Sequence, residues 1–327
     1  MTTDPRNGIR AAGGKVLLVG LSVLLCFGVA EVGLRIKGFE FHLMPTIQFG
    51  WPDPATLHDR YRDDPDLFWV LRDYQDRLAR ARATHPDIVF MGDSCTEFGT
   101  YPEITLAALA GEKEPVSTGV SLGTGGWSSS QGLEQLRRDV LPLHPRVVTI
   151  YYGWNDHWVA LGPTDAELER VRWLLAFAEH SRLAQLIVKA RFGLSVPMAE
   201  RPNRVPIDAY RANLSAMVRL ARNAGIAPVL ITAPTNHVRG HEPAYLAVRH
   251  LRNLSELVPL HEQYLDVARD VARRSGAVLC DLAKDFAALP PPPTPLFLAD
   301  GIHLTPAGDH VIARFLLPCI VQAASSR

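Results

Sequence analysis

The sequence predicts a three-layer α/β fold, in which a central parallel sheet lies between helices. Short runs rich in valine and isoleucine recur along the chain without apolar–polar alternation, which is typical of strands buried on both faces. Amphipathic segments separate these runs, and several of them end at a glycine just before the next run. Regular alternation of strands and helices indicates a parallel sheet joined by right-handed crossovers.

The predicted elements follow from this pattern in order. The strands are expected at residues 88–91, 115–120, 147–152, 228–232 and 277–280. The helices are expected at residues 128–139, 165–193, 207–224, 258–275 and 306–324. Residues 38–65 mix aromatic residues, prolines and acids without a clear period, so we predict a linker that packs on the surface. The proline-rich residues 289–295 are predicted to form a stiff loop.

The composition argues against several classes of protein. The chain has 327 residues, with Lys+Arg and Asp+Glu equal at 34 each, and it has no run of five like charges. We therefore expect no nucleic-acid partner. The four cysteines form no C-x-x-C pair, and the histidines form no H-x-x-x-H pair on a predicted helix. We therefore expect neither a metal site nor a cofactor.

The N-terminus carries a targeting signal. A basic segment at residues 1–15 precedes an uncharged apolar stretch at residues 16–30. Small residues before position 31 would allow cleavage after Ala30, which would release a secreted protein. The apolar character continues to residue 36, however, and a span of about 20 residues can cross a bilayer. We favour the uncleaved anchor, and either interpretation places the body outside the cytoplasm, in the periplasm or at the cell surface.

Two polar motifs directly follow predicted strands. The turn Gly92-Asp93-Ser94 follows the first strand, where an α/β sheet presents its reactive groups, although a serine that caps a helix is also common there. Residues 153–156 follow the strand at 147–152, and the side-chain amide of Asn155 can donate to a developing negative charge. A plain turn is the alternative for this second motif.

A glycine-rich loop, residues 121–127, follows the second predicted strand. Glycine lets a backbone N–H approach a ligand oxygen closely. The spacing of Gly123, Gly125 and Gly126 does not match the dinucleotide-binding pattern G-x-G-x-x-G, so we do not expect a nucleotide cofactor.

The fourth motif pairs Asp300 with His303 near the C-terminus. His303 is a candidate general base, and Asp300 can hold the imidazole in one tautomer and stabilise its charged form. Thr305-Pro306 has the pattern of a helix start. With 12 histidines in the chain, one His near an Asp would be weak evidence alone.

Taken together and in this order, the four motifs resemble the SGNH hydrolase family, a branch of the GDSL-type esterases. The resemblance spans residues 86–320 and implies a flavodoxin-like α/β/α sandwich. The expected organisation is then a basic cytoplasmic tail (1–15), a signal anchor or transmembrane helix (16–36), a linker and packing segment (37–85) and an SGNH hydrolase domain (86–327).

The resemblance also implies roles for the motif residues. Ser94 is the expected nucleophile, His303 takes and returns its proton, and Asp300 orients His303. The expected oxyanion hole consists of the backbone N–H groups of Ser94 and Gly126 and the side chain of Asn155.

Some residues depart from the family pattern, and others near the motifs are not expected to be catalytic. Ser117 or Ser121 stands where the family often has Asn, so Gly123 or Gly125 could replace Gly126 as donor. Cys95 is expected to be a packed thiol, and Asp93 and Asp156 are expected to be structural.

Three functions remain open at this point. The first is an esterase or deacetylase acting on a small-molecule or glycan ester. The second is an O-acyltransferase acting on an exported or cell-envelope glycan, and the third is a non-catalytic glycan-binding protein. Residues 157–206 either shape the substrate cleft or form a packed helical hairpin, and Trp127 and Trp154 flank the expected oxyanion site.

Overall fold

The computed structural model describes residues 5–41, 59–112, 114, 116–160, 162–178, 180–192, 197–291 and 295–326. Seven strands lie in these residues: β1 (Tyr61–Asp64), β2 (Phe68–Leu71), β3 (Ile88–Gly92), β4 (Gly119–Ser121), β5 (Val147–Tyr151), β6 (Ala227–Ile231) and β7 (Val278–Cys280). The first four helices are α1 (Pro5–Ile36), α2 (Tyr74–Thr84), α3 (Ser94–Glu97) and α4 (Tyr101–Gly111). The middle four are α5 (Ser129–Gln135), α6 (Asp165–Ala178), α7 (Arg182–Phe192) and α8 (Ile207–Asn223). The last four are α9 (Leu246–Arg249), α10 (Leu257–Ser275), α11 (Leu282–Ala287) and α12 (Pro306–Ser325).

A parallel five-stranded sheet in the order β4-β3-β5-β6-β7 forms the centre of the fold. Every residue of β3 and β5 is buried, because helices cover both faces of the sheet. On one side α4 packs with α12, and on the other α8 packs with α5 and α10. The predicted three-layer α/β sandwich with a parallel sheet is confirmed.

The chain order of the strands places a crevice beside β3. From β3 the chain moves outward to β4 and then returns across β3 to β5, after which it continues to β6 and β7. The direction of winding therefore reverses beside β3. In open α/β sheets, ligands bind outside the carboxyl ends of the strands at such a reversal.

The predicted strands and helices are confirmed with three differences in extent. The second strand begins at Gly119 rather than at 115, and residue 115 lies outside the described residues. The segment 128–139 is an α-helix only to Gln135 and continues as a π-helical turn, Leu136–Val140. The segment 165–193 is two helices, because the Ser181 hydroxyl accepts the N–H of Ala184 and starts a new helix there.

The segment before β3 has more structure than the sequence predicted. Residues 61–71 form an antiparallel hairpin, β1–β2, and α2 follows it. Leu67, Trp69 and Tyr74 of this segment are buried at 0%, 3% and 0% exposure. The interpretation of residues 38–65 as a surface linker is therefore wrong for residues 61–64. Residues 42–58, and residues 292–294 of the predicted stiff loop, lie outside the described residues.

The chain forms two compact units. One comprises Met1–Met44 with Arg170–Ser195, and the other comprises Pro45–Glu169 with Val196–Arg327. The second unit contains the sheet. In the first, α1 packs with α7, and the carboxylate of Glu31 accepts the N–H groups of Arg182 and Leu183 at 3.1 and 2.8 Å. That carboxylate thereby satisfies donors at the start of α7.

The C-terminal part of α1 is apolar and exposed. Its stretch Leu18–Ile36 has a mean hydropathy of 1.9, and none of it is buried within the protein. By length and composition it can cross a membrane, and a signal sequence has the same properties.

Candidate active site

The turn after β3 places Ser94 at the start of α3. The Asp93 carboxylate caps this helix by accepting the N–H of Cys95 at 2.9 Å. A Cβ atom on Gly92 would lie 2.0 Å from the hydroxyl oxygen of Thr96 and 3.0 Å from the carbonyl oxygen of Tyr151. Position 92 therefore requires glycine, and the close turn exposes the Ser94 hydroxyl at the carboxyl edge of the sheet.

Three side chains form a continuous hydrogen-bonded chain at this edge. The Nε2 atom of His303 lies 2.8 Å from Oγ of Ser94. The Nδ1 atom of His303 lies 2.7 Å from Oδ2 of Asp300. Both distances lie within the range of strong hydrogen bonds. The structure thus brings together the three residues that the sequence singled out.

The Asp300 carboxylate is fixed by its own turn. Its Oδ1 atom accepts the backbone N–H groups of Ile302 and His303, each at 2.9 Å, and Gly301 between them has a φ of 71°. Burial raises the pKa of Asp300, but the hydrogen bonds from the His303 ring and from these two N–H groups outweigh it, so the pKa lies below its usual value. Asp300 is therefore a carboxylate at neutral pH.

Asn155 follows β5 and lies close to the turn that carries Ser94. Its Nδ2 atom donates to Oδ2 of Asp93 at 3.1 Å. Burial raises the pKa of Asp93 to about 6, although the N–H of Cys95 and the amide of Asn155 favour the charged form. Asp93 therefore connects the serine turn to the asparagine, which agrees with the structural role expected for it.

The loop after β4 is held by hydrogen bonds from most of its backbone N–H groups. The donors and acceptors are Leu122 N–H to Phe90 O, Thr124 N–H to Gly92 O, Gly125 N–H to Glu97 Oε2 and Trp127 N–H to Thr124 O. Within the described chain, the N–H groups of Gly123 and Gly126 have no protein acceptor. Gly125 is therefore excluded as an oxyanion donor, whereas Gly126 and Gly123 stay available.

Gly126 has a left-handed backbone conformation that leaves its N–H without a protein acceptor among the described residues. Its φ of 78° is strained for any residue with a side chain. Its carbonyl oxygen accepts Nη1 of Arg204 at 2.7 Å. A Cβ on Gly123 would instead lie 2.7 Å from Cβ of Thr96, so that glycine packs against α3. We therefore keep Gly126 as the candidate donor.

Arg204 is a site residue that the sequence analysis missed. Its side chain is 7% exposed and forms a two-point ion pair with Asp165, with N–O distances of 3.2 and 3.0 Å. Ser128 also donates to this carboxylate. An isolated Arg in the long segment 157–206 gave no signal, because its partners are far away in sequence.

Cys95 and Asp156 have the roles that the sequence predicted for them. Cys95 is 7% exposed, and burial together with the neighbouring charge of Asp93 raises the pKa of its thiol well above the usual value. Asp156 accepts both the N–H and the hydroxyl of Ser129.

Within the described residues, no group of three or more His, Cys, Asp or Glu side chains is arranged to hold a metal ion.

The indoles near the site are core residues. Trp127 is 0% exposed and Trp154 is 2% exposed, so neither indole presents a surface to a substrate. Trp154 stacks on His261 with ring centroids 4.0 Å apart, and His157 Nε2 lies 3.2 Å from His261 Nδ1. Burial lowers the pKa of His261 to about 4, so this cluster is neutral at physiological pH. The beginning of the segment 157–206 is therefore packed in the core.

Comparison with known proteins identifies the class of this site. The GDSL-like Lipase/Acylhydrolase family matches residues 90–311, which contain the serine turn, the glycine loop, Asn155 and the Asp300–His303 pair. The chain belongs to this family, and the resemblance to SGNH hydrolases drawn from the four motifs is confirmed.

Individual relatives share less than a quarter of their aligned residues with this chain. The chain is 24% identical over 255 residues to "Isoamyl acetate-hydrolyzing esterase 1 homolog" of Homo sapiens, covering 74% of this chain and 84% of that protein, and 23% identical over 257 residues to its counterpart in Mus musculus, with the same coverage. Among solved structures, a lipase/acylhydrolase from Enterococcus faecalis is 18% identical with a TM-score of 0.49 and covers 72% of this chain and 96% of that one. The acetyl xylan esterase AlAXEase is 18% identical with a TM-score of 0.48 and covers 71% and 98%.

Proposed function

We propose that this protein is a serine esterase that cleaves carboxylic esters through an acyl-enzyme on Ser94. The observation that carries the proposal is the chain of short hydrogen bonds from Ser94 through His303 to Asp300. A serine hydroxyl is a weak nucleophile until an adjacent base takes its proton. Here a base lies at hydrogen-bonding distance, and a carboxylate orients that base.

The first half of the reaction forms the acyl-enzyme. Ser94 Oγ attacks the ester carbonyl carbon while His303 Nε2 accepts the hydroxyl proton. The Asp300 carboxylate stabilises the resulting imidazolium through Nδ1. The tetrahedral intermediate collapses when His303 returns the proton to the leaving alcohol, which breaks the ester C–O bond. In the second half, water attacks the acyl-enzyme by the same route and releases the acid.

Negative charge develops on the carbonyl oxygen in both halves. Its proposed donors are the N–H groups of Ser94 and Gly126 and the side-chain amide of Asn155. Each such donor typically contributes about 10²- to 10³-fold to the rate. Asn155 follows β5, the neighbour of β3 in the sheet, which supports its assignment to the same site as Ser94.

Short acyl esters are the first substrates to test. The human and mouse relatives are named for hydrolysis of isoamyl acetate, an ester of acetic acid with a small alcohol. We extend that acyl size to this chain as part of the proposal. The proposed location is outside the cytoplasm, with α1 as a membrane anchor whose basic end stays inside.

The test is ester hydrolysis by the full-length chain in detergent. We expect turnover of p-nitrophenyl acetate, and we expect Ser94→Ala and His303→Ala to lower kcat by about 10⁴- to 10⁶-fold. A fluorophosphonate probe should label Ser94, as located by mass spectrometry. The matched controls are the variants Ser325→Ala and His241→Ala, which replace exposed residues and should retain full activity.

Two other outcomes would lead to different conclusions. If Ser94 is labelled but water turnover is slow, the acyl group passes to another acceptor, such as a glycan hydroxyl. If wild type neither hydrolyses esters nor reacts with the probe, the esterase proposal is wrong and a non-catalytic binding function replaces it.

A further inference from the structure

We infer that Trp69, in the hairpin before the family-matched region, is a positioning residue for the oxyanion hole. The inference rests on the proposed esterase function and on the assignment of Gly126 as a donor. Trp69 lies in β2, and the family match begins only at residue 90. The match to the family therefore does not cover Trp69.

The contact that carries the inference joins Trp69 to the peptide that bears the donor. The indole Nε1–H of Trp69 donates to the carbonyl oxygen of Gly125 at 3.0 Å. That carbonyl and the N–H of Gly126 belong to one planar peptide unit. In a trans peptide the C=O and N–H bonds point in opposite directions. The indole therefore fixes the direction in which the Gly126 N–H points, which is away from Trp69.

This peptide unit needs an external anchor. Glycines at 125 and 126 allow wide backbone freedom, and Gly126 has a positive φ that other residues rarely adopt. A peptide between two glycines can rotate at little steric cost, and rotation would turn the N–H away from the substrate oxygen. The indole bond opposes this rotation, and it also polarises the peptide, which strengthens the opposite N–H as a donor.

The hairpin is also hydrogen-bonded by the loop, and this second bond holds the indole of Trp69 in place. The indole of Trp127 donates back to the carbonyl oxygen of Trp69 at 3.0 Å. Trp69 and Trp127 are 3% and 0% exposed, so water does not compete for either bond.

A second connection joins the hairpin to the same loop. Glu97, on the helix that begins with Ser94, accepts the N–H of Gly125 and also the hydroxyl of Tyr61 at 2.8 Å. Its side chain is only 1% exposed. Both hydrogen-bonding groups of Gly125 are therefore occupied, and the next N–H along the chain, that of Gly126, is left for the substrate.

The test removes the indole N–H and keeps an aromatic ring at position 69. We expect Trp69→Phe in the full-length protein to lower kcat for p-nitrophenyl acetate by about 10- to 10³-fold, up to the loss typical of one oxyanion donor, while KM changes little. Affinity for a trifluoromethyl ketone, whose adduct carries the oxyanion, should fall by the same factor. A purely structural role would not change affinity for the analogue in proportion to kcat.

The matched control is Trp158→Phe, another buried tryptophan at 8% exposure. It should show a comparable loss of thermal stability with activity within about threefold of wild type. If Trp69→Phe fails to fold, 3-benzothienylalanine at position 69 keeps the ring shape and replaces the N–H by sulfur.

The outcomes separate this inference from the proposed function. If wild type is active and the folded position-69 variants match it, or lose kcat without losing affinity for the analogue, the role of Trp69 is disproved while the esterase stands. If wild type shows no turnover and no labelling at Ser94, the esterase proposal itself fails.

Discussion

The Nε2 atom of His303 lies 2.8 Å from the hydroxyl of Ser94, although 209 residues separate them in the chain. Ser94 follows β3, the strand at which the winding of the sheet reverses, and His303 lies just before the last helix, α12. Because α12 packs on β5, β6 and β7, the turn before it is brought to the carboxyl ends of the strands.

Replacing Asp300 by Asn should disturb the orientation of His303, the proposed general base. An Asn amide presents an N–H₂ group where the carboxylate accepts Nδ1–H of His303, so the imidazole is pushed into the wrong tautomer. We expect kcat for p-nitrophenyl acetate to fall by about 10⁴-fold with the fold intact. A loss below tenfold, with circular dichroism unchanged, would show that Asp300 does not orient the base.

Replacing Gly301 by Ala should damage the site more than the fold. Gly301 has a φ of 71°, and its added Cβ would lie 2.7 Å from Nε2 of His237, whose ring bonds the Asp300 carbonyl oxygen. Gly225 is the matched control, since its φ is 72° and nothing lies within 4 Å of its Cβ position. We expect both variants to lose about 1 kcal/mol of unfolding free energy from backbone strain.

Only Gly301→Ala should also lose activity, by about tenfold or more, because it displaces His237 and the turn that carries His303. Urea denaturation and ester turnover measure the two effects separately. Equal activity in the two variants would mean that the His237 contact has no effect on the catalytic turn.

Cys95 should be unreactive although it adjoins Ser94, the proposed nucleophile. Its thiol is buried and its pKa is raised, so little of the reactive thiolate form exists at neutral pH. We expect iodoacetamide at pH 7.5 to leave ester hydrolysis unchanged. Rapid inactivation that Cys95→Ala abolishes would contradict this expectation.

Asp156 should make stability depend on pH. Burial raises its pKa to about 7, although hydrogen bonds from Ser129 favour the charged form. A folded-state pKa above the unfolded value means that this group stabilises the fold below about pH 4 and that the stabilisation is lost as pH rises through about 7. Asp156→Asn cannot ionise, so its stability relative to wild type should rise between pH 4 and pH 8.

Each unit of pKa corresponds to about 1.4 kcal/mol, so the relative gain of Asp156→Asn should reach at most roughly 4 kcal/mol. Urea unfolding at pH 4.5, 6 and 8 measures it. The exposed Asp76→Asn is the control for the loss of a carboxylate at the surface. A flat difference for Asp156→Asn would show that Asp156 stays charged in the fold.

The sequence predicted those parts of the fold that depend on local patterns. Strands β3 and β5 are apolar runs ended by Gly92 and by Gly153, and each carries its polar residue at the first turn after the strand. Ser94 and Asn155 were predicted from these positions, and Asp300 and His303 were predicted because they form one contiguous motif.

The residues that the sequence did not predict act through partners distant in the chain. Trp69 is one apolar residue in a short strand with no clear period, and its partner Gly125 is 56 residues away. Arg204 reaches Gly126 across 78 residues. A hydrogen bond from an indole or a guanidinium to a main-chain carbonyl leaves no pattern in either sequence segment, so it is visible only in three dimensions.

The carboxylate of Glu31 also accepts the hydroxyl of Ser181, so one unit of this protein is built from two pieces of chain about 150 residues apart. A chain that lacks α1 would still contain Ser181, Arg182 and Leu183. Their hydroxyl and N–H donors would, however, lose the Glu31 carboxylate as acceptor. Helix α1 and the helical segment near residue 180 therefore cannot be gained or lost independently without a cost in stability. Recombination that exchanges the N-terminal segment between relatives should succeed only when the matching segment around residue 180 is exchanged with it.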